Sequence, residues 1–141
     1  MCSIARFMIV LLLWAAGDAA WVYVTKFNVN QVINEASYSP DTSKISVATD
    51  SNSHYVYSTG SYSLLHTYAA GSKALTTKFS PDQNYIAFGL QNNSVTLLNA
   101  NTYAPINSIS TLFSEVYEVD FSSDSSKILI CGIGTNSKVG Y

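Results

Sequence analysis

Charged side chains are scarce in this chain: seven Lys and Arg and nine Asp and Glu stand among 141 residues, for a net charge of −2. They form no basic cluster. A nucleic-acid surface needs Lys and Arg to displace counterions from phosphates, so that class of partner is excluded. Cysteine is limited to Cys2 and Cys131, too few for a disulfide framework. With no base or cation placed beside it, Cys131 is expected to be a small buried apolar residue. His54 and His66 are the only histidines. Without Cys-x-x-Cys or His-x-x-x-His spacing they do not make a zinc site, and both read as structural or surface residues on strands. No Gly-x-Ser-x-Gly elbow is present to activate a serine. Gly132-Ile133-Gly134 opens like a dinucleotide loop, but Ser137 stands where the third glycine is needed, and a β-turn is expected there. The chain is therefore not read as an enzyme, and no catalytic residue, cofactor or metal is expected.

What fills the place of charge is Ser, Thr, Asn and ten Tyr, with 48% of residues apolar. That composition favours strands and is poor in surface helix formers. Residues 1–19 differ from the rest. Arg6 precedes an apolar run, Phe7 to Ala16, and small residues follow at Gly17, Ala19 and Ala20. A positive start, a short apolar stretch and a small-residue end predict a secretory signal peptide cut before Ala20. The run is short for a membrane span, which takes about 20 apolar residues. An uncleaved anchor and a buried strand Phe7–Leu13 are the alternatives. Residues 20–31 read as an N-terminal strand and linker.

From residue 32 onward one unit is written repeatedly. Ala36-Ser37-Tyr38-Ser39-Pro40-Asp41 recurs as Thr77-Lys78-Phe79-Ser80-Pro81-Asp82 and as Val119-Asp120-Phe121-Ser122-Ser123-Asp124, the aspartates 41 and then 42 residues apart. Four positions past each aspartate stand Ile45, Ile86 and Ile128; seven past stand Ala48, Gly89 and Cys131. Such a period marks a repeat architecture. Leu75, Thr77 and Phe79 alternate with Ala74, Thr76 and Lys78, as Tyr117, Val119 and Phe121 alternate with Val116, Glu118 and Asp120, so each aromatic is expected on one face of a strand. Ser-Pro-Asp supplies a type I turn, which tolerates Ser123 in place of proline. A second, more continuously apolar strand follows (Ile45–Ala48, Tyr85–Gly89, Ile128–Cys131). A third is expected at Tyr55–Tyr57 and Val95–Leu98, and a fourth at Leu64–Tyr68 and Pro105–Ile109.

Four antiparallel strands in about 40–45 residues is the arithmetic of a propeller blade. In its Tyr/Phe-Ser-Pro-Asp turns, its apolar second strand with a small residue, and Val95-Thr96-Leu97-Leu98-Asn99, the chain resembles the WD-repeat family over residues 32–141. Leu98-Asn99 and Tyr57-Ser58 stand where the family carries Trp-Asp, and the Gly-His pair is absent. The family's Ser/Thr-His-Asp-Trp network is therefore not carried over. A second resemblance is to the Ser-Pro-Asp-Gly propellers of bacterial translocation proteins and oligopeptidases.

The expected fold is all-β: a partial β-propeller of about two and a half blades (32–73, 74–114 and an incomplete 115–141) behind a short hydrophobic segment. The resemblance implies a protein-binding scaffold, with a propeller domain accessory to a secreted hydrolase or translocation protein, and a secreted or membrane-tethered structural protein, as the alternatives. The partner is an unidentified protein or peptide, further blades or a second copy, and a membrane only if residues 1–19 stay as an anchor. Location follows the same fork, secretory or cytoplasmic. The residues singled out are the turns Ser39, Pro40, Asp41, Ser80, Pro81, Asp82, Ser122, Ser123 and Asp124, which cap rather than catalyse. To these is added Asn92, the acceptor of an Asn92-Asn93-Ser94 glycosylation sequon.

Overall fold

The computed structural model describes residues 8–14 and 21–134, with side chains from Val29 onward. Among these residues there is no helix; twelve strands form four antiparallel sheets. β1 (Met8–Trp14) pairs with β2 (Trp21–Asn28). β3 (Ile33–Tyr38), β4 (Lys44–Thr49), β5 (Ser53–Ser58) and β6 (Leu64–Ala69) form the first four-stranded meander. β7 (Ala74–Phe79), β8 (Tyr85–Leu90), β9 (Ser94–Asn99) and β10 (Pro105–Ser110) form the second. β11 (Phe113–Phe121) and β12 (Ile128–Gly134) make a two-stranded third. The fold is thus the expected all-β partial propeller. Of the segment read as a leader, residues 8–14 run as β1, the arrangement of the strand alternative. The rest, with the expected cut before Ala20, lies outside the described residues.

The sheets stack through their first strands: β3 and β4 lie against β7, while β7, β8 and β9 lie against β11. The reason is a two-faced strand. In β8 the large residues Ile86, Phe88 and Leu90 project to one side and Ala87 and Gly89 to the other, and all five are buried. The large side meets Ala48 and Val56 of the first sheet in one cluster with Ala74, Phe79 and Leu98. The small side meets Val116 and Val119 of the third, with Val95 and Ile130 around them. Large face on small face lets neighbouring sheets approach closely. β4 and β8 are covered on both sides and buried almost throughout, whereas β12 is not.

Three expectations change. Strict alternation put Leu75 with Thr77 and Phe79, but the pairing of β7 with β8 shifts between Ala74 and Thr76. Leu75 is the bulged residue, so Ala74 shares the face of Thr77 and Phe79. The same bulge falls on Asn34 in β3 and on Tyr117 in β11, which brings Val116 rather than Tyr117 onto the face of Val119 and Phe121. A bulge adds one unpaired residue and restores the opposite phase. Second, Gly132-Ile133-Gly134 is strand, with Val116 paired to Gly132. A turn is unnecessary there because β11 continues upstream to supply partners. Third, Cys131 is exposed, since the side of β12 that carries it faces no neighbouring sheet.

A Cβ at Gly89 would lie 2.5 Å from Thr76 Cγ2 and 2.7 Å from Val116 Cγ1. Gly89→Ala is expected to destabilise the protein by about 1–3 kcal/mol, the usual cost of overpacking. Adding Val116→Ala, which recreates the alanine pair of the first interface, should recover part of that loss in chemical denaturation.

Candidate interaction surfaces

The repeat-defining turns are structural. Ser39 Oγ donates to Asp41 Oδ1 (2.6 Å) and accepts from Lys44 N (2.9 Å). Ser80 repeats this with Asp82 (2.6 Å) and Tyr85 N (2.9 Å), and Ser122 with Asp124 (2.6 Å) and Lys127 N (2.9 Å). The aspartates also accept from the backbone N–H groups of Ser43, Asn84 and Ser126. These donors, the serine hydroxyls foremost, hold the carboxyls of Asp41 and Asp124 down to about 2 and lower that of Asp82. Ser123 leaves the turn intact: Ser125 N donates to Ser122 O at 2.8 Å, as Thr42 N does to Ser39 O. Pro40 and Pro81 occupy the first corner of their turns. The residues that follow the aspartates, Thr42, Gln83 and Ser125, all take positive φ (61°, 64° and 59°). None of them is glycine, and for β-branched Thr42 the conformation is strained. The three carboxylates stay in separate turns and do not converge.

His54 is the residue that sequence reasoning undervalued. It is fully buried and stacks on Phe88 across the first sheet interface at 5.3 Å, with Tyr68 tilted beside it at 6.4 Å. Its Nδ1 accepts from Thr49 N (3.4 Å), so the proton is on Nε2, which donates to the carbonyl of Ser72 (3.1 Å). Burial lowers its pKa to about 4, against a smaller opposing pull from Ser72. No local motif marks this, because its partners Phe88 and Ser72 are brought up by the stacking of sheets. His66, half-buried, stacks on Tyr103 at 5.0 Å; Lys44 Nζ lies over the same ring and donates to Ala100 O (2.8 Å).

The sheets meet chiefly through their first strands, and towards the outer strands a groove of about 440 Å³ opens between the first two sheets. Tyr68, Ala70, Leu90 and Ile106 give it apolar surface, and Asn92, Asn107 and Ser108 give it hydrogen-bonding groups; no charged residue lines it. Asn92 is exposed in the β8–β9 turn, at the groove's edge, and its Oδ1 accepts from Ser94 Oγ (2.7 Å). Among the described residues no three His, Cys, Asp or Glu side chains gather as a metal site, and no helix is long and apolar enough to cross a membrane. No family model matches the chain, and no curated protein matches it.

Two outcomes follow from this geometry. Thr42→Gly should raise stability by about 0.5–1 kcal/mol, the relief of a left-handed threonine less the added freedom of the unfolded chain. His54 binds protons more readily unfolded than folded between its two pKa values. Its contribution is therefore complete above about pH 6.5 and lost as pH falls through about 4. A denaturation series over that range should show stability falling by on the order of 2 kcal/mol. His54→Phe should abolish the slope, whereas the aspartate turns respond only below about pH 4, as Asp41 and Asp124 titrate towards about 2.

Proposed function

We propose that the chain is an interaction module of WD-repeat-like propeller type, working by binding rather than catalysis, and that its sheets form part of a larger wheel. The observation that carries the reading is one sheet recurring in register and stacked face on face, with an uncharged groove between its first two copies. Such a groove suits an extended peptide. Asn92, Asn107 and Ser108 would hydrogen-bond its backbone, and Ile106 and Tyr68 would cover its apolar side chains. The scaffold role itself is drawn from likeness of fold.

A second reading, a secreted protein, is favoured by the exposed position of the Asn92 sequon together with the apolar run after Arg6. In full-length protein recovered from eukaryotic cells, an N-terminus at Ala20 and a glycan on Asn92 would support it. An intact Met1 with unmodified Asn92 would remove it.

For the groove, a photo-crosslinker placed at Ile106 in the full chain should trap one discrete protein in cells of the source organism. Ser108→Arg should abolish the product while leaving the far-ultraviolet spectrum unchanged. No product, or one indifferent to Ser108→Arg, would discard the groove as the binding site.

A further inference from the structure

Each covered interface joins the same four places. In the first, Glu35 Oε2 accepts from Thr77 N (2.8 Å), Asn34 Nδ2 donates to Ala74 O (2.7 Å), and Thr77 Oγ1 donates to Ser46 Oγ (3.0 Å). Ala48 and Ala74 are fully buried in the same cluster. In the second, Val119 packs in one cluster with Ala87, and Val116 lies against Gly89. The pairs match in character: hydroxyl with hydroxyl in one, apolar with apolar in the other. They also match in size, alanine against alanine in the first and valine against a bare glycine in the second.

The strand pairings carry these places onto the far side of the third sheet. Glu118 stands where Glu35 does, Leu129 where Ser46 and Ala87 do, and Cys131 where Ala48 and Gly89 do. All three are exposed, Leu129 at 61%. Glu118 makes no hydrogen bond or ion pair among the described residues. The face continues an interface already formed twice, with an acceptor standing where Glu35 accepts.

We infer, resting on the propeller reading, that this face is an interaction surface for one further sheet of the same repeat, with a defined residue code. The incoming first strand carries an apolar residue opposite Leu129 and glycine or alanine opposite Cys131, and Glu118 accepts its backbone N–H at the place of Thr77. A second copy of this chain does not satisfy the code. By its pairing with Thr49, Ile33 holds the place of Ala74 and Val116, and isoleucine against cysteine is bulkier than either covered pair.

The test keeps residues 1–132 and continues them in register with a second copy of residues 91–134, so that a duplicated β11 falls on the open face. Cys2 and the duplicated Cys131 are replaced by serine, leaving the original Cys131 as the only thiol. Two forms are compared, one with the duplicated Val116 retained and one with it changed to Ala. In the alanine form, maleimide labelling of Cys131 should slow by about tenfold or more relative to the parent chain, as protection by a closed interface requires. The valine form should be clearly less protected, and Glu118→Ala should restore faster labelling. Equal protection in both forms, indifferent to Glu118, would overturn the code while leaving sheet stacking in place. Labelling at the parent rate in both forms would overturn the stacking reading as well. Concentration-dependent protection in the parent chain would show that a second copy does fit.

Discussion

The close approach of one sheet to the next is the constraint on which this structure rests. It is set where little or no side chain is present: Ala48 beneath Ala74, and Gly89 beneath Val116. Because those residues are small, the aromatic and branched side chains of the following sheet reach the backbone and close the core. The hydrogen bonds of Glu35, Asn34 and Thr77 add direction to a contact that apolar burial drives. Where the first sheet meets the second, these bonds lie beside the large apolar cluster. Where the second meets the third the core is apolar, and Gln91 Nε2 donates to Glu115 Oε1 and Asp82 N to Ser125 Oγ on its exposed rim; there Thr76, which stands where Glu35 does, keeps a buried hydroxyl without a partner.

His54 sits at the first of these junctions and ties its geometry to acidity. A neutral ring that stacks on Phe88 and bridges Thr49 to Ser72 joins three segments far apart in the chain. Charging the ring would set its Nδ1 proton against the N–H of Thr49. Loss of that ring would therefore loosen the sheet contact before the turns themselves yield.

Much of the fold was legible because the repeat is local. The Ser-Pro-Asp turn, the strand after it and the polar turn beyond can each be read within a dozen residues, and their recurrence at the aspartates fixes the strand order. What depends on neighbouring sheets was not legible. Whether Cys131 is buried is decided by what covers β12, and nothing near it in sequence says so. The bulges at Asn34, Leu75 and Tyr117 were hidden because each looks like one more step of a regular alternation. The groove, likewise, sets β6 of one sheet against β9 and β10 of the next, and these meet only on stacking.

Those bulges also decide where the repeat can change length. A strand that loses one residue normally turns every later side chain to the wrong face. At Leu75 the opposite holds: without it, Ala74 and Phe79 would fall into simple alternation and still point the same way. The additional residue that lengthens the spacing from 41 to 42 falls within Leu112–Ser114, where β11 begins and its pairing with β12 shifts once more between Phe113 and Glu115. A change of length is thus tolerable in each unit where a bulge already breaks the ladder.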